Sequence, residues 1–134
     1  MKKMNNKGFS LVELIIVIAI MAILAAALAP QLIKYLEESR ESTDQSACDT
    51  IKSCFNAAMT NEAAYKAITD GTVSSGFTFG VAGDINTGST DLDNELKSSL
   101  ADLAAPKATG KSQYKVEWQI DGTTVTDITV TTVQ

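Results

Sequence analysis

Residues 9–29 read FSLVELIIVIAIMAILAAALA, of which nineteen in twenty-one are apolar and Glu13 alone is charged. At about 1.5 Å per residue such a helix reaches roughly 31 Å, the hydrocarbon thickness of a bilayer. The rest of the chain is unlike it. From Pro30 onward 39 of 105 residues are apolar, with 8 basic and 15 acidic side chains. Ahead of the run sits MKKMNNKG, carrying Lys2, Lys3 and Lys7 and no acid. A cationic leader, a lipid-soluble segment and an acidic soluble domain therefore follow one another. The leading lysines predict a cytoplasmic N-terminus and an outward-facing C-terminal domain.

A secretory signal peptide is the rival reading, and Ala25-Ala26-Ala27 with Ala29 could mimic its cleavage site. Glu13 decides against it. A carboxylate inside an apolar stretch costs about 2.5–3.5 kcal/mol at mid-helix and less near an end, and a disposable signal has no use for it. One reading has Glu13 snorkelling to the interface. The other has it meeting a cation within an assembly of helices. Cutting after Gly8 would free an α-amino group at Phe9, four residues away, and a neighbouring copy's amine could pair with it more closely.

Lys7-Gly8-Phe9-Ser10-Leu11-Val12-Glu13-Leu14, followed by an unbroken apolar run, resembles the class III leader and N-terminal helix of type IV pilins. The similarity covers about residues 2–36. Pro30 and Tyr35 stand where pilins commonly carry the same types, whereas Ala22 replaces a frequent glycine. The resemblance implies cleavage after Gly8 and N-methylation of Phe9 by a prepilin peptidase. It further implies membrane storage of the precursor and homopolymerisation through helix packing on a pilus assembly platform. In that polymer Glu13 neutralises the Phe9 amine of an adjacent subunit. Many pilins also close a C-terminal loop with a disulfide, and no cysteine follows Cys54 here.

Pro30 lacks an amide donor, so a kink or local unwinding is expected near residues 26–30. EESRESTDQS (residues 37–46) reads as a solvated helix face. A stripe of Ala47, Ile51, Cys54, Phe55, Ala58, Tyr65 and Ile68 then predicts an amphipathic continuation to residue 70, ended at Gly71. Cys48 and Cys54 lie about 9 Å apart along such a helix and about 240° around it, too far for a mutual disulfide. They read as small buried thiols, with intermolecular cross-linking as the lesser alternative.

Residues 71–134 read as a head domain. Phe77, Phe79 and Val81 alternate as in a strand. Leu92, Leu96, Leu100 and Leu103 predict a helix over residues 92–103, with Ser89-Thr90-Asp91 as cap candidates and Pro106 as a stop. Asp91, Asp93 and Glu95 suit the first turn of that helix. A calcium loop counted from Asp91 lacks its glycine, because Leu96 stands there, so no metal is expected. Some pseudopilins, which are similar at the N-terminus, do bind calcium, and that alternative stays open.

A hairpin is predicted over residues 113–132, turning at Asp121-Gly122. Tyr114, Val116, Trp118 and Ile120 share one face, and a β-bulge near Thr126-Asp127 brings Ile128 opposite Val116 and Val130 opposite Tyr114. The Trp118 face should pack on Ile51, Phe55 and Ala58. The expected class is α+β: a long N-terminal helix with a protruding apolar half and an amphipathic half on a small antiparallel sheet, a pilin-like lollipop. The parts are a leader (1–8), a transmembrane and polymerisation helix (9–36), its amphipathic continuation (37–70) and the head (71–134).

The chain has no histidine, which removes Ser-His-Asp and Cys-His nucleophiles and His-ligated zinc. It shows no nucleophile with a base and no glycine-rich phosphate loop, so an anchored enzyme or sensor has no support. A formal charge of −5 and pI near 4.6 disfavour a nucleic-acid surface. No catalytic residue, cofactor or small-molecule substrate is expected. The favoured function is a structural pilus subunit, first in the cytoplasmic membrane and then extracellular. The alternative is a pseudopilin of a type II secretion or competence system.

Overall fold

A computed structural model describes residues 8–73 and 75–134. The chain divides into two compact units, residues 1–36 and residues 37–134. The leader lysines lie outside the described residues.

Helix α1 (Leu11–Ala58) is continuous through Pro30. Proline removes one donor from the hydrogen-bond ladder, and the turns on either side keep theirs, so the unwinding expected at residues 26–30 is not found. In the first unit every described residue up to Tyr35 is exposed. The most apolar 18-residue window has mean hydropathy 3.0 and none of it is buried. A helix apolar on all sides has no preferred face to hide in water, and lipid or other helices satisfy it.

The second unit is built on the last turns of α1. Asp44, Cys48, Ile51, Phe55 and Ala58 are its buried residues, at spacings of three and four. The stripe thus starts one turn earlier than expected and runs through Cys48 rather than Ala47, with Ala47 and Cys54 only half-buried. α1 also stops at Ala58, short of the expected residue 70. Thr60 turns back to bond the Ala57 carbonyl, and Asn61 starts a separate helix α2 (Glu62–Thr69). The Asn61 Oδ1 accepts the amides of Ala63 at 3.0 Å and Ala64 at 3.4 Å, the capping chemistry that asparagine favours. Gly71, with φ 80°, follows the end of α2.

Strand β1 (Gly76–Phe79) pairs antiparallel with β2 (Gln113–Asp121), which pairs with β3 (Thr124–Val133), in the order β1-β2-β3. Val81 lies beyond β1 and is exposed. The hairpin turns at Gly122-Thr123, one residue later than expected, with positive φ at Gly122 only, the signs of a type II′ turn. A bulge is present: Glu117 faces Thr129 while Gln119 faces Thr126, and Asp127 has φ 45°. The later turn moves the register two residues beyond the expected one, so Val130 faces Val116 and Thr132 faces Tyr114. Beyond the bulge Ile120 is exposed, whereas Tyr114, Val116 and Trp118 are buried.

Phe55 meets Trp118 with ring centroids 5.1 Å apart, and the contacts continue through Phe77 and Phe79 to Tyr114. Full burial of a side chain such as Phe55 stabilises the fold by about 2–3 kcal/mol, and the ring pairs add to it. Helix α3 (Thr90–Ser99) covers another side with Leu92 and Leu96. It ends four residues before the expected 103. Leu100 and Leu103 still reach the core, because the Leu103 amide folds back on the Leu100 carbonyl in a tight turn.

Candidate functional site at the start of the apolar helix

The Ser10 carbonyl accepts the first helical bond, from Leu14 at 3.2 Å, which makes Ser10 the N-cap of α1. Glu13 then occupies the third helical position. Its Oε2 accepts the Ser10 amide at 2.9 Å, one half of a capping box. The Ser-x-x-Glu spacing was the sequence signal for this role. Glu13 accordingly does two things: it satisfies an otherwise orphaned donor and sets a negative charge at the positive end of the helix. Phe9 is 85% exposed beside it, and a Cβ added at Gly8 would meet nothing within 4 Å. Through its bond to the Ser10 amide, the Glu13 carboxylate is held one residue along the chain from Phe9.

The other acids serve the head. Asp93 accepts the Thr87 amide at 2.8 Å and hydroxyl at 2.7 Å, and Glu95 accepts Asn61 Nδ2 at 3.1 Å, tying α2 to α3. Ser89 stands at the N-cap of α3 without a side-chain cap bond. Among the described residues no three acid or thiol side chains gather as metal ligands. Cys48 is buried and Cys54 half-buried, both as free thiols. Burial and the neighbouring Asp44 and Asp49 push the Cys48 thiol up.

The sequence reading missed the work of Glu37 and Asp44, placed in the supposedly solvated stretch. Asp44 is 3% exposed and accepts the amides of Lys107 and Ala108. Glu37 accepts the Thr109 amide at 2.6 Å and hydroxyl at 2.7 Å. Those bonds, then Arg40, hold the Glu37 carboxyl below its ordinary value. The Tyr114 hydroxyl donates to the Ala104 carbonyl at 3.0 Å. Burial, with Asp44 and Cys48 nearby, pushes that phenol up to about 12.

Among protein families, residues 3–29 match the one described as the prokaryotic N-terminal methylation motif. Neither a curated protein nor a solved structure matches the chain. The motif runs from residue 3 of the leader to Ala29, the end of the apolar run, and it stops before the head. Leader and helix together fit a membrane-anchored precursor. The chain thus carries the prepilin-type N-terminus common to type IV pilins and pseudopilins.

Proposed function

We propose that this chain is the structural subunit of an extracellular type IV pilus. It is stored in the cytoplasmic membrane with its N-terminus inside, cut after Gly8 and N-methylated at Phe9 by a prepilin peptidase, then polymerised through residues 9–36. In the polymer, helix packing replaces lipid around the apolar segment, and Pro30 provides the point of bending. Growth of this kind is a heterologous, non-closing assembly. The observation that carries the reading is the methylation motif joined to a helix start whose apolar surface is wholly exposed. Residues 37–134 then form the acidic outer surface, and the role is structural rather than enzymatic.

Glu13 supplies the charge for docking. Paired with the Phe9 amine of an adjacent subunit, its carboxylate need not be buried alone. Glu13→Gln keeps an acceptor for the Ser10 amide and removes the charge, whereas Glu13→Ala removes both. Both variants should insert in the membrane and fail to form normal filaments. Normal filaments from the Gln variant would reduce Glu13 to a helix cap and sink the pairing. Mass spectrometry of purified protein should find Phe9 first and carrying one methyl group; a retained leader would refute the processing scheme. Surface filaments lost on deletion support a pilus, while lost protein export with no filaments would assign a pseudopilin.

A further inference from the structure

Residues 104–110 run between α3 and β2 without regular structure. Among the described residues, the bonded backbone N–H groups of this segment are those of Lys107, Ala108 and Thr109, and every acceptor is a carboxylate of α1. Apolar anchoring is slight, since Ala108 is the one buried side chain of the loop. The main-chain N–H groups are therefore held by two charges, and the Tyr114 hydroxyl on the Ala104 carbonyl is a neutral tie at the start of the loop. An ionised carboxylate accepts through both oxygens, while a protonated one turns an oxygen into a donor that opposes the N–H facing it.

The loop also covers something. A cavity of about 320 Å³ lies between it, α1 and β3, with Cys48, Ala108, Thr109, Lys111 and Val130 in its walls. Cys48 is 4% exposed.

We propose that residues 104–110 form an acid-loosened latch: protonating Glu37 releases the Thr109 end of the loop from α1 and opens the cavity that Cys48 walls. The surrounding charges set its range. On α1, Arg40 lies 3.5 Å from Glu37 and favours its ionised form, while Glu38, Glu41, Asp44 and Asp49 add like charge on the same helix. The loop brings Lys107 and Lys111. β2 brings Tyr114 and the Lys115–Glu117 pair, and residues 128–133 of β3 bring no titratable side chain. Cys48 and Tyr114 are neutral in acid, so neither the thiol nor the phenol drives the release, and Glu37 is left to do so.

The test uses the full chain in detergent micelles with Cys54→Ser, so that Cys48 is the only thiol, labelled by a dipyridyl disulfide that reacts in acid as well as at neutrality. At neutral pH, Glu37→Gln should raise the labelling rate about threefold while Trp118 fluorescence stays native. Without that change, labelling relative to a urea-unfolded reference should rise between about pH 5 and about pH 3, ahead of any change at Trp118. Unchanged labelling in the folded variant, or labelling that rises only as Trp118 fluorescence is lost, would overturn the latch.

Discussion

The Asp44 carboxylate accepts the Ala108 amide at 2.8 Å across 64 residues of sequence, and binds the Lys107 amide through both oxygens, at 2.8 and 3.0 Å. Hydrogen bonds to a charged acceptor are worth about 1.5–3 kcal/mol, and their loss strands buried donors. Asp44→Ala should therefore lower the stability of the head by about 2–4 kcal/mol, read as a shift in urea midpoint by Trp118 fluorescence. A shift comparable to that of an exposed alanine substitution would show that the loop is held by something else.

Glu37 gives the acid side of the stability curve. Its carboxyl is held below the ordinary range by Thr109, so its contribution is complete above the unfolded value and disappears as pH falls through the folded one. The thermal midpoint should drop between about pH 5 and about pH 3, and Glu37→Gln should flatten that drop by starting from a lower plateau. An acid limb of the same depth in the variant would remove Glu37 from the account.

Asp127 sits in the left-handed region with φ 45° at the bulge. Asparagine tolerates that conformation, and valine does not. Asp127→Asn should change stability by less than about 0.5 kcal/mol, while Asp127→Val should cost about 1–3 kcal/mol or remove the bulge. Amide exchange across Gln119 and Thr126 distinguishes strain from re-registration. Equal stability of the two variants with unchanged exchange would show that the backbone there is unstrained.

The long apolar helix was legible because one apolar run with one acid leaves few physical options. The bulge was legible too: unbroken pairing sets Asp127 against Val116 from the expected turn and against Trp118 from the observed one, and both are buried apolar positions. The turn was misplaced by one residue because Asp121-Gly122 and Gly122-Thr123 both offer a glycine, and the choice between type I′ and type II′ depends on how the strands beyond it pack. Asn61 broke the helix unannounced: its cap bonds to Ala63 and Ala64 are local, while the Glu95 carboxylate that holds the other end of its amide lies on α3, distant in sequence. Asp44 was hidden by composition: ten polar residues looked solvated, although 44, 48, 51, 55 and 58 form one periodic face. An acid on a core stripe is a signal for a buried main-chain partner, and the partner itself lies too far along the chain to be read locally.

The bonds from Asp44 to Lys107 and Ala108 end on main-chain amides, which every residue except proline supplies. The exposed side chains of Ala105, Lys107 and Lys111 take no part in them. Those positions are consequently free to drift, or to accept a displayed peptide's side chains, without loss of anchorage. Proline at 107 or 108 is the substitution that mutational scanning should find forbidden where nearly every other residue at 107 passes.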